Sequence, residues 1–232
     1  MSGSVNTYGA MQSRVQYEVL GSPTLADIRN AIQDAIAIHE RESFWFNDIR
    51  LFGNVTGSLS DLQTVAGKEF YSAQDVAMLP NMPHIRKIMV VAFGNRYPLI
   101  ERTPQWIDDQ SISVTWQGLP TDWCWQAGAL RLYPIPNDAY PLILDCTIRF
   151  PALVNDADFN CWTNEAERLI RLESKRILFT DITRDQMQAA AMMAEIYGIP
   201  GTGNIGELGR LRRENSRRAS GPPIIRPSRG YM

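Results

Sequence analysis

The spacing of apolar residues along this 232-residue chain changes period twice, from helical to strand-like and back. That switch limits the fold more than any single motif does. In "GSPTLADIRNAIQDAIAIHERES", Leu25, Ile28, Ile32 and Ile36 recur at helical steps and form one apolar stripe, widened by Ala31, Ala35 and Ile38. Ser22 as cap, Pro23 at the first helical position and Asp27 in the early turns mark its start. His39 falls in the last turn, where it can meet free carbonyls.

At "SFWFNDIRLFGNVTGS" the helical period ends and aromatic and branched residues take over. "HIRKIMVVAF" is almost continuously apolar in its middle, as a central strand buried on both faces would be. Gly94-Asn95 offers a hairpin turn, and Thr103 with Pro104 opens a short helix in "TPQWIDDQ". "SISVTW" alternates, and so does "PLILDCTIRF", whose Leu142, Leu144 and Cys146 share one face while Asp145 and Thr147 share a partly wet one. From Trp162 the helical period returns. Asn164 and Glu167 suit a capping box for "EAERLIRLESKRILF". In "TRDQMQAAAMMAEIYG", Met187, Ala190, Ala191 and Ala194 form a small-residue face suited to close helix packing, and Ile205, Leu208 and Leu211 give a third helix a thin apolar side. The fold class expected is α+β: terminal helices packed as a bundle, with a large inserted antiparallel β domain. The divisions expected are 1–42, a leader and the first helix; 43–155, the β insertion; 156–208, the C-terminal helices; and 209–232, a basic extended tail.

Composition excludes several classes. The longest apolar runs fall short of the about 20 residues that span a bilayer, so no membrane is expected as a partner. The start "MSGSVNTYGAMQSR" lacks the basic and apolar regions of a secretion signal, which places synthesis in a cytoplasm. Cys124, Cys146 and Cys161 make an odd set without close spacing, and His39 and His84 stand on different elements, so neither disulfides nor a metal site are expected. No phosphate loop, dinucleotide fingerprint or nucleophile elbow occurs, and "GIPGTGNIG" follows a helix rather than a strand and reads as a hinge. The chain therefore reads as a non-enzymatic protein without catalytic residues or cofactors, which binds other macromolecules.

Charge is distributed unevenly. Net charge is −2, yet from Gly209 onward seven arginines face one glutamate, leaving −8 for the preceding 208 residues. Arg210, Arg212, Arg213, Arg217 and Arg218, with Ile224, Ile225 and Arg226 of "PPIIRP" beyond them, are the candidate partner-binding residues. Arginine forks suit carboxylates, and a polyproline-like strand loses little entropy on docking. An acidic partner surface, nucleic-acid phosphates and plain solvent are the three environments open to them.

The segment "TWQGLPTDWCWQAGALRLYPIPNDAY" holds Trp116, Trp123 and Trp125, three of the six tryptophans. They read as core or inter-strand anchors, the other reading being an exposed aromatic recognition face. This block, with "FWF" at the end of the first helix, the "TVAGKEFY" strand-turn and the "CWTNEAERLI" helix start, resembles the head-to-tail adaptor (connector) proteins of tailed bacteriophages, especially short-tailed ones. The resemblance covers roughly residues 22 to 197; the arginine-rich end after Gly209 falls outside it. It implies a structural virion protein at the head–tail neck, assembled with itself as a ring, commonly a dodecamer, beneath the portal protein. It also implies an extended DNA channel, non-specific contact with the DNA inside, and docking of a tail nozzle or tube protein and sometimes fibres. Asp122, Gln126 and Arg131 are candidates for reaching a tail partner from the rim of the β domain. The alternative is a nucleic-acid-binding accessory protein acting through its arginine-rich end, which the acidic remainder of the chain opposes.

Overall fold

A computed structural model describes residues 6–19, 21, 23–52, 62–76, 79–111 and 116–220. The chain folds as two units, one formed by residues 1–46 with 151–232 and the other by 47–150. The first is helical and the second is built of strands, which gives the α+β class.

The helical unit opens with a helix where only a polar leader was expected. α1 spans Tyr8–Glu18, capped by Thr7, whose side chain accepts from the Ala10 amide, and it buries Tyr8, Met11 and Val15. Its polar remainder conceals that short apolar edge in the sequence. α2 spans Leu25–His39. Its cap is Thr24 rather than Ser22, because Thr24 and Asp27 close a reciprocal box on two free amides. Ile28, Ala31, Ile32 and Ala35 of the expected stripe are buried, Ile36 is half-buried, and Leu25 and Ile38 at its ends are exposed.

Within the β unit, the strands are β1 (Asp48–Phe52), β2 (Phe70–Tyr71), β3 (His84–Ala92), β4 (Asn95–Pro98) and β5 (Ile100–Glu101). Helix α3 (Pro104–Ser111) intervenes, with the Trp106 amide donating to Thr103 Oγ1 as the sequence suggests. β6 (Gln117–Gly118), β7 (Asp122–Gln126), β8 (Ala129–Tyr133), β9 (Ile135–Pro136) and β10 (Leu142–Thr147) complete it. One sheet has the order β1-β10-β3-β4 and is antiparallel throughout; the other has the order β2-β8-β7-β5. β3 thus lies inside its sheet, and Ile88, Val90 and Ala92 join Leu130, Leu132, Leu142, Leu144 and Trp123 in one core. The expected wet side of β10 is mostly covered, with Ile143 and Thr147 both buried. The β3–β4 turn sits one residue earlier than the sequence suggests. Ala92 pairs with Asn95, so Phe93 and Gly94 form the tip with positive φ at both, the backbone twist a two-residue hairpin needs. "SISVT" is largely outside the described residues.

Back in the helical unit, α4 (Cys161–Asn164) is capped by an Asn160–Thr163 box. α5 (Glu167–Asp181) follows with no side-chain cap at Ala166, so the box expected at Asn164 and Glu167 forms four residues earlier. α6 spans Gln186–Tyr197, capped by Asp185, and α7 spans Gly206–Ser220. The third helix expected from Ile205, Leu208 and Leu211 thus forms and runs on to Ser220, past the division at 209 where an extended tail was placed, because Leu208 and Leu211 are buried and anchor its first turns. The glycine-rich link is a closed turn rather than a hinge: the Ile199 amide donates to Asn204, and any side chain at Gly198 would strike the Asn204 carbonyl. α5 is the hub, packing on α2 along one side and α6 along another, with α1 and α7 as further neighbours.

Candidate functional site

The arginines of α7 sort onto two faces. Leu208, Leu211, Arg212, Asn215 and Arg218 recur at helical steps and face the protein. Arg212 forks onto Glu42 through two hydrogen bonds. The Asn215 side-chain amide donates to the Ser43 carbonyl at 3.0 Å, and the Arg218 guanidinium lies 4.4 Å from the Trp45 ring centroid. Three successive contacts thus strap α7 along residues 42–45. Arg218 also reaches Glu214 at 2.9 Å.

Arg210, Arg213 and Arg217 occupy the other face. Arg210 holds the buried Glu207 at 2.5 Å, and Arg217 lies 3.9 Å from Glu214. Arg213 is exposed without a partner among the described residues. The five arginines are consequently divided between retaining the helix and facing outward. Ile224, Ile225 and Arg226 lie outside the described residues.

The residues expected at the rim of the β unit are placed differently. Asp122 and Arg131 are only 6% and 5% exposed, so neither reaches out as a rim contact. Asp122 accepts from Arg102 Nε at 2.8 Å and from Thr121 Oγ1 at 2.6 Å. Arg131 donates to Glu69 and Asp108, both at 2.5 Å, and to the Gln126 side chain at 3.2 Å, while lying 5.1 Å from the Phe70 ring centroid. Burial lowers the affinity of this guanidinium for its proton, but the two carboxylates outweigh it. Gln126 is half-buried and held in the same network. These three residues hold segments of the β unit together, Arg131 linking β8 to Glu69, Asp108 and Gln126.

The tryptophans also divide. Trp123 is 2% exposed and belongs to the core, whereas Trp125 and Trp116 are 40% and 62% exposed. Only one of the three acts as a buried anchor. Beside Trp125, a groove of about 460 Å³ is lined by Pro80, Pro83, His84 and Glu101.

α6 reverses its expected orientation. Ala189, Met192 and Ile196 face the bundle, while Met187, Ala190, Ala191 and Met193 are exposed. The small-residue face thus points away from α5. Both sides of this helix are apolar, so the sequence pattern alone could not assign the inward one.

Burial raises all three cysteine thiols, to about 11 at Cys146 and about 12 at Cys161. Among the described residues, no group of histidine, cysteine and carboxylate side chains is placed to hold a metal. Nor is any helix there long and apolar enough to cross a membrane. His39, in the last turn of α2, is buried, with Nε2 3.6 Å from Glu173 Oε2. Glu173 accepts from Arg176 through Nε at 2.9 Å and Nη2 at 2.7 Å. Burial raises the Glu173 carboxyl, but His39 and Arg176 outweigh it and hold it below the usual range.

The four segments that carry the sequence resemblance meet in pairs. Phe44 and Phe46 of "FWF" stand edge-on to Trp162 of "CWTNEAERLI", at 6.1 and 5.1 Å between ring centroids. In the β unit, Phe70 and Tyr71 pair with Arg131 and Leu130, and Thr64 Oγ1 accepts from the Tyr140 amide at 2.7 Å. Each unit is therefore closed by two distant pieces of the same signature. Such closure is a matter of packing and strand pairing. The chain belongs to the SU10 adaptor protein family, a phage head–tail adaptor family whose model matches residues 6–226. A comparison with curated proteins gives no significant match. Family membership makes this a phage structural adaptor, a component of the virion that interacts with other head and tail proteins.

Proposed function

We propose that the chain assembles as a dodecameric ring between portal protein and tail, extends the DNA channel and docks the tail nozzle or tube. The observation that carries this reading is the family match, which runs through both units and into the arginine-rich end. The outward row of α7, Arg210, Arg213 and Arg217, is the portal-facing element, since it presents guanidinium groups to an acidic surface. Arg212 and Arg218 support it by retaining the helix. Ile224, Ile225 and Arg226 extend the same contact. On the β unit, exposed Trp116 and Trp125 replace Asp122 and Arg131 as the residues offered to tail components. The role is structural and non-enzymatic, without cofactors.

Mixing the purified protein with its portal ring and imaging by electron microscopy tests the proposal. A second ring stacked below the portal, lost on Arg213→Glu with Arg217→Glu, is the expected result. Failure to stack at any salt concentration would overturn it. A DNA titration across salt would then examine the arginine row as a phosphate-binding element.

A further inference from the structure

We propose that residues 222–227, "PPIIRP", lie in the Trp125 groove of their own chain until the portal claims them. The inference rests on the ring reading above. It takes the segment assigned there to the portal and the tryptophan assigned to the tail, and joins them in the unassembled chain.

The chemistry of the groove points to such an occupant. β7 turns Trp123 and Trp125 to one side at two-residue spacing. Trp123, 2% exposed, makes the floor with the buried Ile85, whereas Trp125 is 40% exposed and stands as a wall. Pro80 and Pro83, both exposed, add two more rings to the lining. Aromatic-lined grooves take up proline-rich strands, which bring an extended backbone and little entropy to lose. Glu101 lies on the same lining, exposed, and its carboxylate has no ion pair among the described residues. A fitting ligand thus combines apolar rings, an extended backbone and one cation.

The chain holds that combination once. Its 14 prolines include a single adjacent pair, Pro222-Pro223, followed by Ile224, Ile225, Arg226 and Pro227. At three residues per turn, Pro222 shares a ridge with Ile225, and Ile224 with Pro227, while the third ridge carries Arg226. Two apolar ridges can enter the groove while the guanidinium meets the Glu101 carboxylate.

The segment also starts within reach. It begins two residues past the end of α7, where Arg218 stacks 4.4 Å from the Trp45 ring centroid. Trp45 is three links from Asp48, at most about 11 Å. Asp48 and the groove residue His84 both pair with Thr147 across β10, which sets them about 10 Å apart. From Ser220 an extended chain covers about 22 Å to Pro227 and about 37 Å to Met232. These distances follow from covalent links and strand pairing, so they hold for every placement of the two units. Docked there, the segment covers Trp125, and the surface offered to tail components opens only when the portal withdraws it.

A bimane label on Ser228→Cys, which tryptophan quenches on contact, reads the docking in the full chain. Cys124 and Cys146 are buried and burial pushes Cys161 up to about 12, so labelling at neutral pH favours residue 228. The label should be dim, brighten on Trp125→Phe, and behave alike at every protein concentration. Glu101→Lys should lower the docked-to-free ratio about threefold, and adding Arg226→Glu should restore it, a rescue that a general loss of structure would not give. Brightness unmoved by Trp125→Phe would overturn the proposal. Quenching that grows with concentration would overturn it too, giving the segment to a neighbouring copy. Added portal ring should brighten the label, and quenching that persists on stacked rings would remove the ordered release. The two readings fail separately: stacked rings with a label that Trp125 never quenches remove this docking but not the adaptor role, and a quenched label without stacking removes the role but not the docking.

Discussion

α5 and α6 are consecutive helices packed against each other, and their sequences point the opposite way from their surroundings. α5, "ERLIRLESKRILFTD", is rich in charge and sits at the centre of the unit. α6, "QMQAAAMMAEIY", is nearly uncharged and shows half its surface to solvent. The charges of α5 are consumed internally: Glu173 by Arg176 and His39, Arg171 by Glu18 and Glu167, Lys175 by Glu18. A polar helix can be a hub when its charges have partners on every side, and an apolar helix can be peripheral. Polarity alone therefore ranks neither helix by burial; pairing does.

Breaking the hub should have the largest effect. Glu173→Gln leaves Arg176 and His39 facing a neutral amide in a buried site, and loss of one buried ionic partner costs about 3 kcal/mol. Thermal unfolding of the helical unit should fall by roughly 10 °C. The pH dependence sharpens the test. The Glu173 carboxyl titrates lower in the folded chain than in the unfolded one, so its stabilisation is complete above the unfolded value of about 4.3 and is lost as pH falls through the folded value. Melting temperature should therefore drop more steeply below pH of about 4 in the parent chain than in Glu173→Gln. Equal slopes would show that Glu173 is not held in its charged form.

Met192→Ala, on the buried side of α6, comes next. Removing a buried methionine side chain costs about 2 to 3 kcal/mol through lost contact and a cavity. Chemical denaturation should register it as a shift in midpoint without a change of slope. A neutral result would mean that α6 is loosely attached and that its two faces do not differ.

How much of this was legible depends on how far the deciding contact lies along the chain. The middle of the α2 stripe and the Thr103 cap of α3 are local patterns, and both formed as their spacing requires. The β unit followed from branched and aromatic residues, with β3 inside its sheet. Arg131 could not be read as buried, because Glu69 and Asp108 are 62 and 23 residues away in sequence and only the fold gathers them. The arginines of α7 look alike in sequence; Glu42 and Trp45, far up the chain, decide which two of them hold the helix. α1 was missed because a short polar helix gives too weak a pattern, and α6 was turned over because both its sides are apolar. The family signature was visible as motifs, but the contacts that make it structural, such as Phe46 on Trp162, were not.

The strap on α7 offers a smaller effect. Arg212→Ala and Arg218→Ala each remove an exposed contact worth about 0.5 kcal/mol, and salt should weaken the parent chain's strap similarly. Global stability should hardly move. Amide exchange should report the change instead: protection should fall in α7 beyond Leu211 while the turns anchored by Leu208 and Leu211 stay protected. Unchanged protection throughout would show that the two leucines retain the helix without the ion pair and the stacked ring.

The smallest expected change in stability bears most directly on the comparison. Met187 and Met192 lie on one helix, the first in solvent and the second buried. Met187→Lys adds a charge where water already stands, so denaturation should shift by less than about 0.5 kcal/mol. A helix that loses nothing in the isolated chain when its apolar face is charged has no internal use for that face. A large loss of stability would instead mean that the stripe is buried within the chain, and α6 would join α5 as an interior helix.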